Sequence, residues 1–133
     1  MADVNILMMV DTEGALASGN LGANIYLVDT NKHLGSNREG QDELITNLHI
    51  GDTVVWSVAS IDPGQDVTIA GFEGVAVSDG IVAPVQSPLS AGVWEAKFNA
   101  PGGSTGQSYQ YTATLTFNGE KSLTFDPFLT VVD

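Results

Sequence analysis

Between Tyr109 and Phe117 apolar and polar residues alternate without a break. Tyr109, Tyr111, Ala113, Leu115 and Phe117 fall on one side of an extended chain, and Gln110, Thr112, Thr114 and Thr116 on the other. Successive side chains of a strand point to opposite faces, so only a strand with one buried face has this period. Asn118-Gly119 follows directly and supplies the two positive-φ positions of a type I′ turn. The spacing therefore predicts an antiparallel return over Lys121–Phe125. No 11-residue window elsewhere in the chain holds a 3.6-residue period, which leaves little room for helix.

The same reading predicts strands over Val4–Val10, Asn24–Thr30, Leu44–Ile50, Thr53–Ile61, Val67–Phe72 and Val93–Ala100. Gly51-Asp52 and Asp62-Pro63-Gly64-Gln65-Asp66 read as turns, with Pro63 presetting φ and Gly64 accepting a positive one. Asp126-Pro127 interrupts the last run, so Phe128–Val132 is expected as a strand on a new line at a sheet edge. Asp11–Ala23 is rich in Gly, Ser and Asn and reads as a loop, with at most a helical turn near Gly14–Ser18. Glu73–Gly92, with Pro84 and Pro88, reads as a longer loop holding short edge strands at Val75–Val77 and Ile81–Val85. Eight or nine short strands so punctuated imply an all-β fold, a two-sheet antiparallel Greek-key β-sandwich of cupredoxin- or immunoglobulin-like type. With 133 residues and neither repeat nor linker, residues 1–133 form a single domain.

Charge narrows the function. Sixteen acidic side chains against four basic ones give a net charge of −12 and a pI near 4.1. Nucleic-acid phosphates are held by clustered Lys and Arg, whereas Lys32, Arg38, Lys97 and Lys121 are scattered. Neither nucleic acid nor an anionic membrane is an expected partner. The absence of cysteine excludes disulfides, thiolate metal sites and a cysteine nucleophile. The first charge is negative and the apolar run Ile6–Val10 spans five residues, too few for a secretory signal. A cytoplasmic location is the expectation, with release by a non-classical route the alternative.

Catalytic and metal motifs are sparse. His33 and His49 are the two histidines, both read as solvated surface residues. Two histidines without cysteine fall short of the three nitrogen or sulfur ligands that copper or zinc takes. Gly51–Val58 followed by Asp66–Ile69 has the look of a cupredoxin strand pair lacking its copper ligands. Asp62/Gln65/Asp66 and Asp11/Glu13 partly match calcium loops, but turns select Asp for its local hydrogen bonds as well. No cofactor is expected, calcium being the one candidate. There is no Gly-x-Ser-x-Gly, phosphate loop or Ser/His/Asp arrangement, and no catalytic residue is assigned. Trp56 alternates with Val54 and Val58 and belongs in the core. Trp94, with Ala96 and Phe98, reads as inward. At a sheet rim beside Pro101–Gln107 it would instead offer a flat face for a sugar ring. The ligand-binding candidates are accordingly Trp94, Asp62, Gln65 and Asp66, with a glycan as ligand.

Four motifs in order point to a family: Asn5–Glu13 (NILMMVDTE), Ala23–Thr30 (ANIYLVDT), Gly51–Ser57 (GDTVVWS) and Phe125–Val131 (FDPFLTV). Across roughly residues 4–61 and 108–132 the chain resembles the PixA/AidA family of bacterial inclusion body proteins. It departs from that pattern at Phe125, where tryptophan is expected before Asp-Pro. The resemblance implies a small β-sandwich of Gram-negative, often host-associated bacteria, expressed under quorum-sensing or phase control. Some members accumulate as cytoplasmic inclusions, and the family carries no agreed catalytic residues. The expectation that follows is a non-enzymatic protein acting through binding or self-association, as a homodimer or higher oligomer. The alternative is a carbohydrate-binding lectin using loop carboxylates and an aromatic platform.

Overall fold

The structure, a computed structural model, describes residues 3–31, 36, 38, 40, 43–90 and 92–132. Among the described residues eleven strands run in chain order: β1 (Asp3–Val10), β2 (Ile25–Asp29), β3 (Ile45–Leu48), β4 (Thr53–Ser60), β5 (Val67–Glu73), β6 (Val85–Gln86), β7 (Trp94–Lys97), β8 (Ser108–Gln110), β9 (Thr112–Phe117), β10 (Lys121–Phe125) and β11 (Phe128–Val131). Two short helices, α1 (Thr12–Ser18) and α2 (Val75–Ser78), interrupt them. The fold is an all-β sandwich. One layer is a five-stranded sheet in the order β2-β1-β4-β7-β6. Against it lie two three-stranded sheets, β10-β9-β5 and β3-β11-β8.

The Asn118-Gly119 hairpin forms as its sequence demands. Asn118 has φ 53 and Gly119 φ 69, and β10 returns along β9 with Lys121 opposite Phe117 and Phe125 opposite Ala113. Tyr111, Ala113, Leu115 and Phe117 are buried and Tyr109 is half-buried. At Tyr111 the chain leaves one small sheet for the other, since β8 pairs with β11 and β9 with β5 and β10. The returning chain makes the same transfer at Asp126-Pro127, and the Tyr111 N–H donates to the Pro127 carbonyl at 3.0 Å. Two chain segments bent at one level hold the small sheets together as a single layer.

Three expectations are corrected. The sandwich is mixed rather than purely antiparallel: β1 runs parallel to β4 over Asp3↔Thr53 to Val10↔Ser60, and β11 parallel to β3. Phe128–Val131 is not an edge strand but lies between β3 and β8. Pro127 sits one residue before the ladder, so its missing N–H removes no pairing bond. Val75–Val77 is not a strand, because Gly74 at φ 97 turns the chain and the Ser78 and Asp79 N–H groups fold back onto the Gly74 and Val75 carbonyls. Of the edge strand expected at Ile81–Val85 only Val85 is strand, as β6 (Val85–Gln86) paired to β7, while Ile81 and Val82 are buried in the core.

Helix α1 grows from the helical turn expected near Gly14–Ser18. Asp11 caps it, its Oδ1 accepting from the Gly14 N–H at 3.0 Å. Gly19 ends it in the left-handed conformation that glycine adopts without strain.

The core is one continuous cluster between the layers, drawing Val4, Ile6, Met8 and Val10 from β1 and Val54 and Trp56 from β4. Facing them are Leu115 and Phe117 of β9 and Leu129 and Val131 of β11. Each large side chain so buried contributes roughly 1.5–3 kcal/mol. At the centre Trp56 packs on Phe72 with ring centroids 4.6 Å apart, and on Tyr111 edge-on at 5.6 Å.

Candidate functional site

The four ligand-binding candidates do not converge. Trp94 pairs with Trp56 across β4 and β7 and meets Phe72 edge-on at 5.5 Å. It is half-buried and faces the core, as its alternation with Ala96 indicates. Asp62 lies six residues beyond Trp56, about 20 Å along an extended chain. Pro101–Gln107 follows the far end of β7 and is tied to β11 through Gly106 N–H to the Val131 carbonyl. Trp94 therefore stands beside neither the carboxylates nor the glycine-rich loop.

The turn carboxylates are engaged locally. Asp62 Oδ2 accepts from the Glu13 N–H at 3.0 Å, which ties the β4–β5 turn to α1. Gln65 Oε1 accepts from Asn118 Nδ2 at 2.8 Å, and Asn118 Oδ1 accepts from the Asp66 N–H at 2.9 Å. These bonds lock the β4–β5 turn against the hairpin tip. Among the described residues no three His, Asp or Glu side chains are grouped to hold a metal ion.

His49, expected on the surface, is half-buried, because the turn after β3 folds tightly. Its N–H donates to Asp52 Oδ2 at 2.9 Å, and Asp52 is 2% exposed. His33 lies outside the described residues. A polar seam links β2 to β3 across the layers: Asp29 Oδ2 accepts from Thr46 Oγ1 at 2.6 Å, and Asn31 Nδ2 donates to the Asn47 carbonyl at 2.7 Å. Trp56 Nε1 donates to the Tyr111 hydroxyl at 3.1 Å in the interior. Burial drives the Tyr111 phenol far above its ordinary pKa, with the Asp29 charge adding to the rise and the Trp56 bond opposing it. Each of these side-chain bonds joins one layer to the other.

Two surfaces remain. An open concavity of about 260 Å³ lies on the outer side of β5, lined by Ala70, Gly71, Phe72, Glu73 and Thr114. It arises where the β5–β9 register slips between Ile69 and Gly71, since a bulge kinks the strand locally. The larger surface is the outer face of the five-stranded sheet. Cross-strand partners share a face, so the register sets Tyr26, Met9 and Ala59 in one row and Val28, Leu7 and Ser57 in the next. Asn5, Val55, Glu95 and Val85 follow, then Asp3, Thr53 and Lys97. An outward sandwich face is ordinarily polar, yet this one carries Tyr26 at 50%, Val28 at 41% and Val85 at 57% exposure. The sequence holds the signal in the unbroken run Ile6–Val10, since a strand apolar on both sides is one whose two faces are both covered. Reading that run only for its length misses this face.

The comparisons with known proteins agree with this architecture. A family model described as a domain of unknown function (DUF8788) matches residues 2–123. No curated protein matches the sequence. Among solved structures, the chain is similar to the inclusion body protein PixA from Burkholderia cenocepacia J2315. The TM-score is 0.68 at 15% identity, over 98% of this chain and 96% of that one. The likeness that the four sequence motifs carry is thus present in the fold along the whole chain. The protein belongs to the DUF8788 family and has the sandwich fold seen in PixA.

Proposed function

We propose that this protein acts by associating with copies of itself rather than by catalysis. The observation that carries the reading is the apolar outer face of the five-stranded sheet, with exposed Tyr26, Val28 and Val85 where a solvated face is normally polar. The neighbour that shares its fold is named an inclusion body protein, which accords with a chain whose copies gather. On this reading the protein is cytoplasmic and its acidity keeps the remaining surface soluble. Sedimentation velocity over a concentration series tests it. A weight-average mass rising from 13.9 kDa toward a multiple is the expected result, and a strict monomer at 200 µM overturns it.

A further inference from the structure

We propose that the occupant of this face is a second copy of the chain, docked sheet to sheet about a two-fold axis that runs along β4. The inference rests on the self-association reading and specifies its geometry. Strand β4 is the middle of the order β2-β1-β4-β7-β6. A two-fold axis lying along it between stacked copies exchanges left for right. Strand β1 of one copy then lies over β7 of the other, and β2 over β6.

The charges fit that operation. In the row Asp3–Thr53–Lys97 the acid stands on one side of β4 and the base on the other, at one register. The axis sets Asp3 over the partner's Lys97, and by symmetry does so twice. One row on, Asn5 comes over the partner's Glu95, an amide donor against a carboxylate. Val55 and Ala59, on the axis, meet their own copies. Val28 and Tyr26 lie one and two rows beyond the level of the partner's Val85, toward the chain that follows β6, where Leu89 is exposed. A closed two-fold contact requires a surface complementary to itself in this way.

Charge also selects among occupants. The whole chain carries −12, but the acids in these rows are Asp3 and Glu95, against Lys97. A near-neutral patch is where two strongly acidic molecules can meet, while a basic partner would be drawn to the rest of the surface. At about 3.3 Å per residue and 4.8 Å between strands, the sheet covers roughly 430 Å² in flat projection per copy. About two thirds of it overlaps under this axis, since β1 and β2 outrun β7 and β6, and the strand contact, contoured and doubled, comes to about 700 Å², in the range of weak, transient pairs. The dimer is accordingly weak and concentration-dependent.

Sedimentation equilibrium of the full chain and its variants tests this, with circular dichroism melts checking each fold. Val55→Lys, which brings two ammonium groups together on the axis, abolishes the dimer, and Tyr26→Lys, at a half-exposed site, weakens it at least tenfold. Asp3→Lys and Lys97→Asp each weaken it about tenfold, and the two combined restore it to within threefold of the parent. A parent chain that stays monomeric overturns the self-association reading itself. A dimer indifferent to Val55→Lys and Tyr26→Lys leaves that reading standing and overturns this face. Loss with Val55→Lys but no restoration by the double reversal overturns the axis.

Discussion

Replacing Tyr111 with phenylalanine removes one oxygen from the interior and nothing else. The ring keeps its packing on Trp56 and Phe72, but Trp56 Nε1 loses its acceptor at 3.1 Å. Trp56 is fully buried, so its N–H is left without a partner, a loss of about 1–3 kcal/mol. With an unfolding entropy of about 2.1 cal/mol/K per residue, a chain of this length loses roughly 4–11 °C of Tm. The shift is read by calorimetry or by the Trp near-ultraviolet signal. Trp56→Phe and the double variant complete a cycle whose coupling energy is of order 1 kcal/mol. A Tm unchanged within 1 °C, or zero coupling, refutes the idea that this bond joins the two layers. The pH dependence has a definite sign. A phenol held in its neutral form by burial contributes stability that is fully present below its unfolded pKa of about 10 and fades as pH rises beyond it. The stability difference between the parent and Tyr111→Phe therefore shrinks between pH 9 and 11.

Other perturbations probe the remaining joints. Thr46→Val takes from Asp29 its 2.6 Å donor and destabilises by about 1–2 kcal/mol in urea unfolding, whereas an unchanged midpoint removes the seam from the stability account. Gly74→Ala forces a side chain onto φ 97 against backbone atoms of Gln110, Tyr111 and Thr112 at 3.1–3.3 Å. It lowers stability by roughly 1–3 kcal/mol, measurable by thermal melt. Raising salt from 50 to 500 mM tightens the dimer by screening the repulsion of two −12 chains, and a dimer that loosens instead shows that the Asp3–Lys97 pairs outweigh that repulsion. Calcium at millimolar excess leaves the melting midpoint unchanged, since any ligand of the native state must raise it.

The hairpin was legible because its information is local: alternation fixes the buried face, and Asn118-Gly119 fixes the turn. Trp56 and Trp94 were readable as inward for the same reason. Strand pairing was less so. That β1 lies parallel to β4 depends on contacts fifty residues apart, and the one local trace is that Ile6–Val10 is apolar on both sides. Asp126-Pro127 correctly marked a bend, but whether the following strand lies at an edge depends on β3, which the motif does not encode. Val75–Val77 carries β-branched residues that favour a strand, and Gly74 overrides them by turning the chain. That Trp94 and the 62–66 turn do not meet was not legible, because it follows from the pairing of Trp94 with Trp56, six residues before Asp62 on β4.

The protein has no cysteine, so one introduced at Ser57 is chemically unique. Ser57 lies on the outer face of β4 between Val55 and Ala59, where a two-fold axis brings it opposite its own copy about 10 Å away, the usual spacing of stacked sheets. A short bismaleimide should join Ser57→Cys chains into a covalent dimer at micromolar protein while leaving Thr68→Cys, exposed on β5 of the other layer, as monomer. Equal cross-linking at both positions, or none at Ser57 under conditions where the protein sediments as a dimer, would contradict an interface centred on β4.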